Sequence, residues 1–182
     1  MALLQIRTYP DPALKQPAAA VENITGDVVR LAADLAETMY AAPGVGLAAP
    51  QVGVPQRVIV LDVHDEETPA GKHLLKLINP VIAAREGEIV WEEGCLSVPE
   101  LTAPVRRAKR VLVRAWTPEE HEVEIEGEDL LAVALQHEID HLDGKLFLDR
   151  LSRLKRDLYR ARRRKLERQG RPEQGRARRI LI

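Results

Sequence analysis

The chain has 182 residues, 45% hydrophobic and 30% charged, enough for one globular domain that buries its own core and a short appendage. Only 3% of residues are aromatic, which argues against a base-stacking nucleic-acid surface; the longest apolar run, Leu130–Leu135, is too short to cross a bilayer, and the single cysteine excludes an internal disulfide framework. The net charge of −1 hides a division: residues 151–182 hold 13 Lys and Arg against three acids, net +10, while residues 1–150 hold 14 against 25, net −11, and the basic end therefore points towards a polyanion.

The opening residues, Met1-Ala-Leu-Leu-Gln-Ile-Arg-Thr8, lack the basic region and long apolar run of a secretory signal, and a lone cysteine suits a reducing compartment, so a cytoplasmic location is expected. Thr25 is placed to cap a helix with apolar positions Val28, Leu31, Leu35 and Met39. That helix should end near Ala42, because Pro43 pushes its predecessor out of the α region. Gly44 to Gly53, punctuated by Gly and Pro, reads as an extended loop with approachable backbone. Arg57–Val63 and Leu74–Ile78 read as buried strands, and Arg110–Trp116 with Glu122–Glu126 as an antiparallel pair turning at Pro118. A second helix should begin near Asp129 and run past His141, burying Leu131, Leu135, Ile139 and Leu142, with Gly144 ending it. A third pattern starts after Ser152 and reaches about Gln169, its sparse apolar side formed by Leu154, Leu158, Ala161 and Leu166. Strands first and a long helix late, without regular βαβ alternation, predict an α+β fold with antiparallel sheet.

The sharpest local signal is His137-Glu-Ile-Asp-His141. Residues four apart share one helical face, so both imidazoles can bind one metal ion, and Glu138 beside them can take a proton from water there. A zinc endopeptidase with an extended motif needs a third histidine six residues after the second, and that position holds Phe147, which cannot ligate. Peptidases that use a downstream glutamate would have only Glu167 and Glu173, set among arginines. Cys95 is the better third ligand. A lone buried cysteine is more often inert, but this one follows Gly94 and lies among Glu92, Glu93 and Ser97 rather than in an apolar run. A Cys–His–His set leaves the open position that a catalytic ion requires, and a thiolate suits iron or zinc over magnesium or calcium. A structural-metal protein that binds RNA through its basic end stays open as the non-catalytic alternative.

Three segments, Gly44-Val-Gly-Leu-Ala-Ala-Pro-Gln51, Glu93-Gly-Cys-Leu-Ser97 and Gln136-His-Glu-Ile-Asp-His141, together resemble the signature motifs of bacterial peptide deformylases, in the right order and across about residues 3–150. The resemblance implies an α+β fold, with antiparallel sheets around a central metal-binding helix and here a basic C-terminal helix. It implies removal of the N-formyl group from the N-terminal methionine of nascent polypeptides, with an HExxH zinc endopeptidase as the alternative. Cys95, His137 and His141 would be the metal ligands, Glu138 the general acid and base, and the Gln51 amide with the Leu96 backbone N–H the oxyanion site. Val45 and Gly46 would pair with the substrate in β fashion, and Glu93 and Arg107 align with charged residues near the cleft. Thr102 stands where some relatives carry an arginine. Leu130, Val133 and Ala134 share the side of the helix next to the histidines, where they either line a pocket for the methionine side chain or pack as core. One divalent ion is implied, Fe(2+) foremost, with Zn(2+), Ni(2+) or Co(2+) accepted by the same ligands. Residues 1–150 would form the catalytic domain. Residues 151–182, and 153–179 above all, would hold the enzyme at ribosomal RNA, with no membrane involved.

Overall fold

The computed structural model describes residues 2–63 and 70–168. In chain order these form α1 (Gly26–Ala41), β1 (Gly46–Ala48), β2 (Val58–Leu61), β3 (Leu75–Glu86), β4 (Ile89–Cys95), β5 (Val98–Arg107), β6 (Arg110–Trp116), β7 (Glu122–Glu128), α2 (Asp129–Leu142) and α3 (Arg153–Arg168). Short 3-10 turns occupy Pro12–Lys15, Ala49–Val52 and Phe147–Arg150. A five-stranded antiparallel sheet has the order β1-β2-β3-β6-β7, and β4 pairs with β5 as a separate antiparallel hairpin.

The unbroken apolar run of β2 has a simple cause, since both faces of that strand are covered. Ile59 and Leu61 belong to the cluster that packs on α2, whereas Val58 and Val60 face α1 through Leu35, Ala36 and Met39. Burying each such side chain contributes roughly 1.5–3 kcal/mol relative to leaving it exposed. β6 and β7 are covered on one face only and therefore alternate, with Val111, Val113 and Ala115 turned inward. Every residue of α2 from Ala132 to Leu142 is buried, so this helix runs through the centre of the molecule. It ends at Gly144, whose φ of +68° and tight approach to the Lys15 carbonyl leave no room for a Cβ.

Several expectations change. The stretch after Gly44 is no plain loop: Gly46–Ala48 is an outer strand of the main sheet, and a 3-10 turn follows it. β3 continues well beyond Ile78 by passing Asn79-Pro80 through a bulge, with Asn79 at φ 52°. The β4–β5 hairpin was not foreseen, because Glu92 and Glu93 interrupt one strand and Pro99 and Pro104 the other; β5 tolerates the prolines since it pairs along one edge only. Thr25 precedes α1 as expected but makes no side-chain cap.

The third helix docks by a different face from the one its leucines predict. Tyr159 and Arg163 are buried and Arg156 half-buried, at helical spacing, while Leu154 and Leu158 are 69% and 61% exposed. The Tyr159 ring packs 5.9 Å from that of Tyr9, its hydroxyl donates to the Pro99 carbonyl, and Arg163 donates to the Tyr9 carbonyl. A tyrosine with a partner for its hydroxyl buries more apolar area than either leucine, and one helix cannot present both faces to the body. Leu151 and Tyr159 join Leu14, Val98 and Leu148 in one cluster. The Leu166 side chain and residues 169–182 of the basic tail lie outside the described residues.

Candidate metal centre

α2 places His137 and His141 one turn apart, with their Nε2 atoms 3.2 Å from each other. β4 delivers Cys95 at its C-terminal end, where Sγ lies 3.2 Å from the His141 Nε2. All three residues are 1% exposed, and their donor atoms fall within 4.8 Å of one another. Burial pushes the Cys95 thiol up, with Glu138 adding to the effect, while the backbone N–H groups of Ser97 and Val98 donate to the sulfur and favour thiolate. Burial, reinforced by the His137 neighbour, holds His141 well below the ordinary histidine range and hence neutral. His137 Nδ1 lies 2.8 Å from Glu93 Oε2; a carboxylate only accepts, so Nδ1 carries the proton and leaves Nε2, 3.2 Å from the His141 Nε2, with its lone pair. Three buried lone-pair donors converging on one point fit a divalent cation, and their chemistry suits a borderline ion.

Glu138 is fully buried, and neither carboxylate oxygen has a hydrogen-bond partner among the described residues. Burial, with the Glu93 charge adding, raises its pKa well above the carboxylate range. The backbone of Gly46 lies directly against this carboxylate: a Cβ there would stand 2.9 Å from Glu138 Cδ and closer still to Oε1. Gln51, from the 3-10 turn after β1, is fixed at both ends of its amide. Its Oε1 accepts the Ala48 N–H at 2.8 Å, and its Nε2 donates to Ser97 Oγ at 3.1 Å and faces Cys95 Sγ at 3.7 Å. Leu96 follows Cys95, half-buried, with its side chain across Gly44. Val45 precedes β1 and Gly46 begins it; the strand pairs only with β2 among the described strands and leaves its outer edge open.

Glu93 and Arg107, expected near the cleft, lie behind His137 instead, with side chains 0% and 1% exposed. The Arg107 guanidinium grips both Glu93 oxygens, at 2.6 and 2.9 Å, and reaches Asp140 at 2.5 Å. Burial disfavours the ionised form of Glu93, yet Arg107 and His137 outweigh it and hold the carboxyl below its ordinary range. Their charges are met by each other, by Asp140 and by the His137 ring. Leu130 is half-buried, and Val133 and Ala134 lie in the core cluster around α2. Thr102 donates to Glu92 on the exposed face of the hairpin. Phe147 packs on the His137 ring, centroids 6.2 Å apart.

Sequence reasoning gave no role to Ser97, Asp140 or Arg150. Ser97 and Asp140 sit inside the motifs Glu93–Ser97 and Gln136–His141, but nothing local marks what they touch. Arg150 carried no signal at all.

A profile of the family described as Polypeptide deformylase matches residues 3–157. The chain is 54% identical to the peptide deformylase of Syntrophobacter fumaroxidans over 159 residues, covering 87% of this chain and 92% of that protein. It is 52% identical to the peptide deformylase of Alkalilimnicola ehrlichii over 175 residues, covering 96% and 97%. Among solved structures, a peptide deformylase from Legionella pneumophila superposes with a TM-score of 0.86 at 44% identity, covering 94% of this chain and 99% of that one. One from Ehrlichia chaffeensis in complex with actinonin superposes with a TM-score of 0.85 at 39% identity, covering 92% and 99%.

Proposed function

This chain belongs to the polypeptide deformylase family and is a metal-dependent hydrolase that removes the N-formyl group from nascent polypeptides, and we propose that Cys95, His137 and His141 hold its metal ion. The observation that carries this reading is the convergence of three buried donors beside a buried, unpartnered carboxylate. We take Fe(2+) as the native ion, with Zn(2+), Ni(2+) and Co(2+) as ions the same ligands accept. Such an ion lowers the pKa of water towards about 7 and so supplies a nucleophile at neutral pH.

The chain's own residues do the rest. Glu138, with nothing else to bond, accepts a proton as water adds to the formyl carbon. Negative charge grows on the formyl oxygen, where the Gln51 Nε2–H and the Leu96 backbone N–H stabilise it. Gln51 needs no reorganisation for this, since the Ala48 N–H already fixes its carbonyl end. The C–N bond breaks, Glu138 passes its proton to the departing amine, and formate leaves. The open edge formed by Val45 and the first residue of β1, Gly46, takes the extended substrate backbone as an added strand. Leu130, Val133 and Ala134 border the methionine side chain.

Residues 1–150 carry this chemistry, and residues 151–182 serve for attachment. α3 docks through Tyr159 and leaves Leu154, Leu158 and cations such as Arg153 and Arg162 facing solvent. This basic face suits ribosomal RNA, from which the substrate emerges, and a cytoplasmic location follows from that. No helix among the described residues is long and apolar enough to cross a membrane.

The decisive assay is formate release from a formyl-methionyl peptide by protein purified without air, with metal analysis of the same sample. Substoichiometric metal, or unchanged metal content in Cys95→Ser, refutes the ligand assignment. Salt-sensitive co-sedimentation with ribosomes should weaken in a variant carrying Arg153→Glu and Lys155→Glu. Unchanged sedimentation removes the attachment role and leaves the chemistry untouched.

A further inference from the structure

We propose that Arg150 is a positioning residue for the metal centre, acting on His137 through Asp140, Arg107 and Glu93. The inference rests on the reading of His137 as a metal ligand and extends it to a residue with no contact to the centre.

The chain of contacts is continuous. Arg150 donates through Nε and Nη2 to both oxygens of Asp140, each at 2.7 Å. Asp140 Oδ2 also accepts from Arg107 Nη1, and the same guanidinium holds both oxygens of Glu93. Glu93 Oε2 then accepts the His137 Nδ1–H at 2.8 Å. The two fork-to-carboxylate contacts each fix a plane as well as a distance. The Arg150 fork sets the Asp140 carboxylate, which helps to orient Arg107, and the Arg107 fork sets the Glu93 carboxylate, which orients the imidazole. Two guanidinium groups and two carboxylates cancel in charge, so the cluster can lie beside the centre without an unpaired ion. Only Arg150 reaches solvent, its side chain 41% exposed against 10% or less for the other three.

The segment that carries Arg150 supports the same conclusion. The 3-10 turn Phe147–Arg150 acts on His137 twice, with Phe147 packed on the ring and Arg150 working through the chain to Nδ1. The turn is itself anchored, because Asp149 accepts the Leu146 N–H at 2.8 Å and pairs with Lys15. A lysine at 150 would keep the charge but lose the fork, so it could not set the Asp140 plane. Outer partners of metal-bound histidines typically govern about 10–100-fold in metal affinity.

The test compares Arg150→Met, Arg150→Lys and, as control, Lys145→Met, a cation on the turn after α2 whose side chain reaches only Asp143, at 3.7 Å, among the described residues. Two readouts apply: chelator competition for Co(2+) with the visible spectrum of the Co(2+) form, and the 15N resonances of the His137 ring in metal-free protein. Arg150→Met should lower Co(2+) affinity about tenfold, alter the spectrum and move the His137 resonances, and Arg150→Lys should fall in between. Lys145→Met should match the parent. Identical Co(2+) affinity and identical His137 resonances in parent and Arg150→Met overturn the proposal. Should Arg150→Met fail to fold, Arg150→Lys decides by the same two measurements. A parent protein that binds no metal refutes the ligand assignment instead, and the metal-free resonances still decide the role of Arg150.

Discussion

The backbone of Gly46 lies against the carboxylate of Glu138, and no side chain fits between them. The outer strand of the main sheet and the central helix thus meet here. There the edge that would take the substrate backbone touches the group that would move its proton.

Replacing Gly46 with alanine should therefore damage catalysis more than folding. The new Cβ must displace the Glu138 carboxylate, which is fully buried and has little room to yield. Formate release should fall at least ~100-fold, while the melting temperature drops by only a few degrees. Near-parental turnover would show that the carboxylate position is unimportant.

Glu138→Gln should keep the metal, lose nearly all turnover and gain stability in metal-free protein at pH 7. The buried carboxylate has no partner, so its ionised form opposes folding wherever pH exceeds its ordinary value; removing the charge relieves on the order of 1 kcal/mol. Urea denaturation of the two metal-free proteins measures this directly, and a less stable variant contradicts it.

Glu93→Ala should be among the most damaging single changes. It leaves Arg107 half-satisfied in a buried site and His137 without its Nδ1 acceptor. Breaking such a pair costs about 3–5 kcal/mol. An equilibrium unfolding midpoint close to that of the parent would be the contrary result.

Acid should erode the contribution of Asp140. Burial would raise its pKa, but hydrogen bonds from Arg150 and the nearby Arg107 charge outweigh that and hold the folded value below the ordinary one. A carboxyl depressed in the folded state contributes stability that is complete above its unfolded pKa of about 4 and is lost as pH falls through the folded pKa. The stability advantage of the parent over Asp140→Asn should thus be constant near neutrality and shrink below about pH 4. An advantage that grows towards acid reverses the sign.

On α3, Tyr159→Ala should cost about 3 kcal/mol, whereas Leu158→Ala should stay within about 0.5 kcal/mol, because only the tyrosine is buried. Thermal melts of the two variants distinguish docking by the tyrosine face from docking by the leucine face.

How much of this was legible in the chain depends on the range of the interaction. The span of α2, its end at Gly144 and the shared face of His137 and His141 follow from helical period and glycine chemistry, which are local. The alternation of β6 and β7 is equally local, because one covered face leaves a period of two. Cys95 as partner to the histidines was readable from ligand chemistry and from three motifs in order. The β4–β5 hairpin was not, since its acids and prolines contradict strand propensity; Arg107 receives Glu93, Glu92 stays on the exposed face beside Thr102, and the unpaired edge of β5 tolerates the prolines. The docking face of α3 was decided by Tyr9 and Pro99, some 150 and 60 residues away along the chain, which give the Tyr159 ring a neighbour and its hydroxyl an acceptor. Arg150 is the clearest case. Nothing beside it in the chain marks it, and its place in the contacts behind His137 exists only once folding brings α2, β5 and the 3-10 turn together.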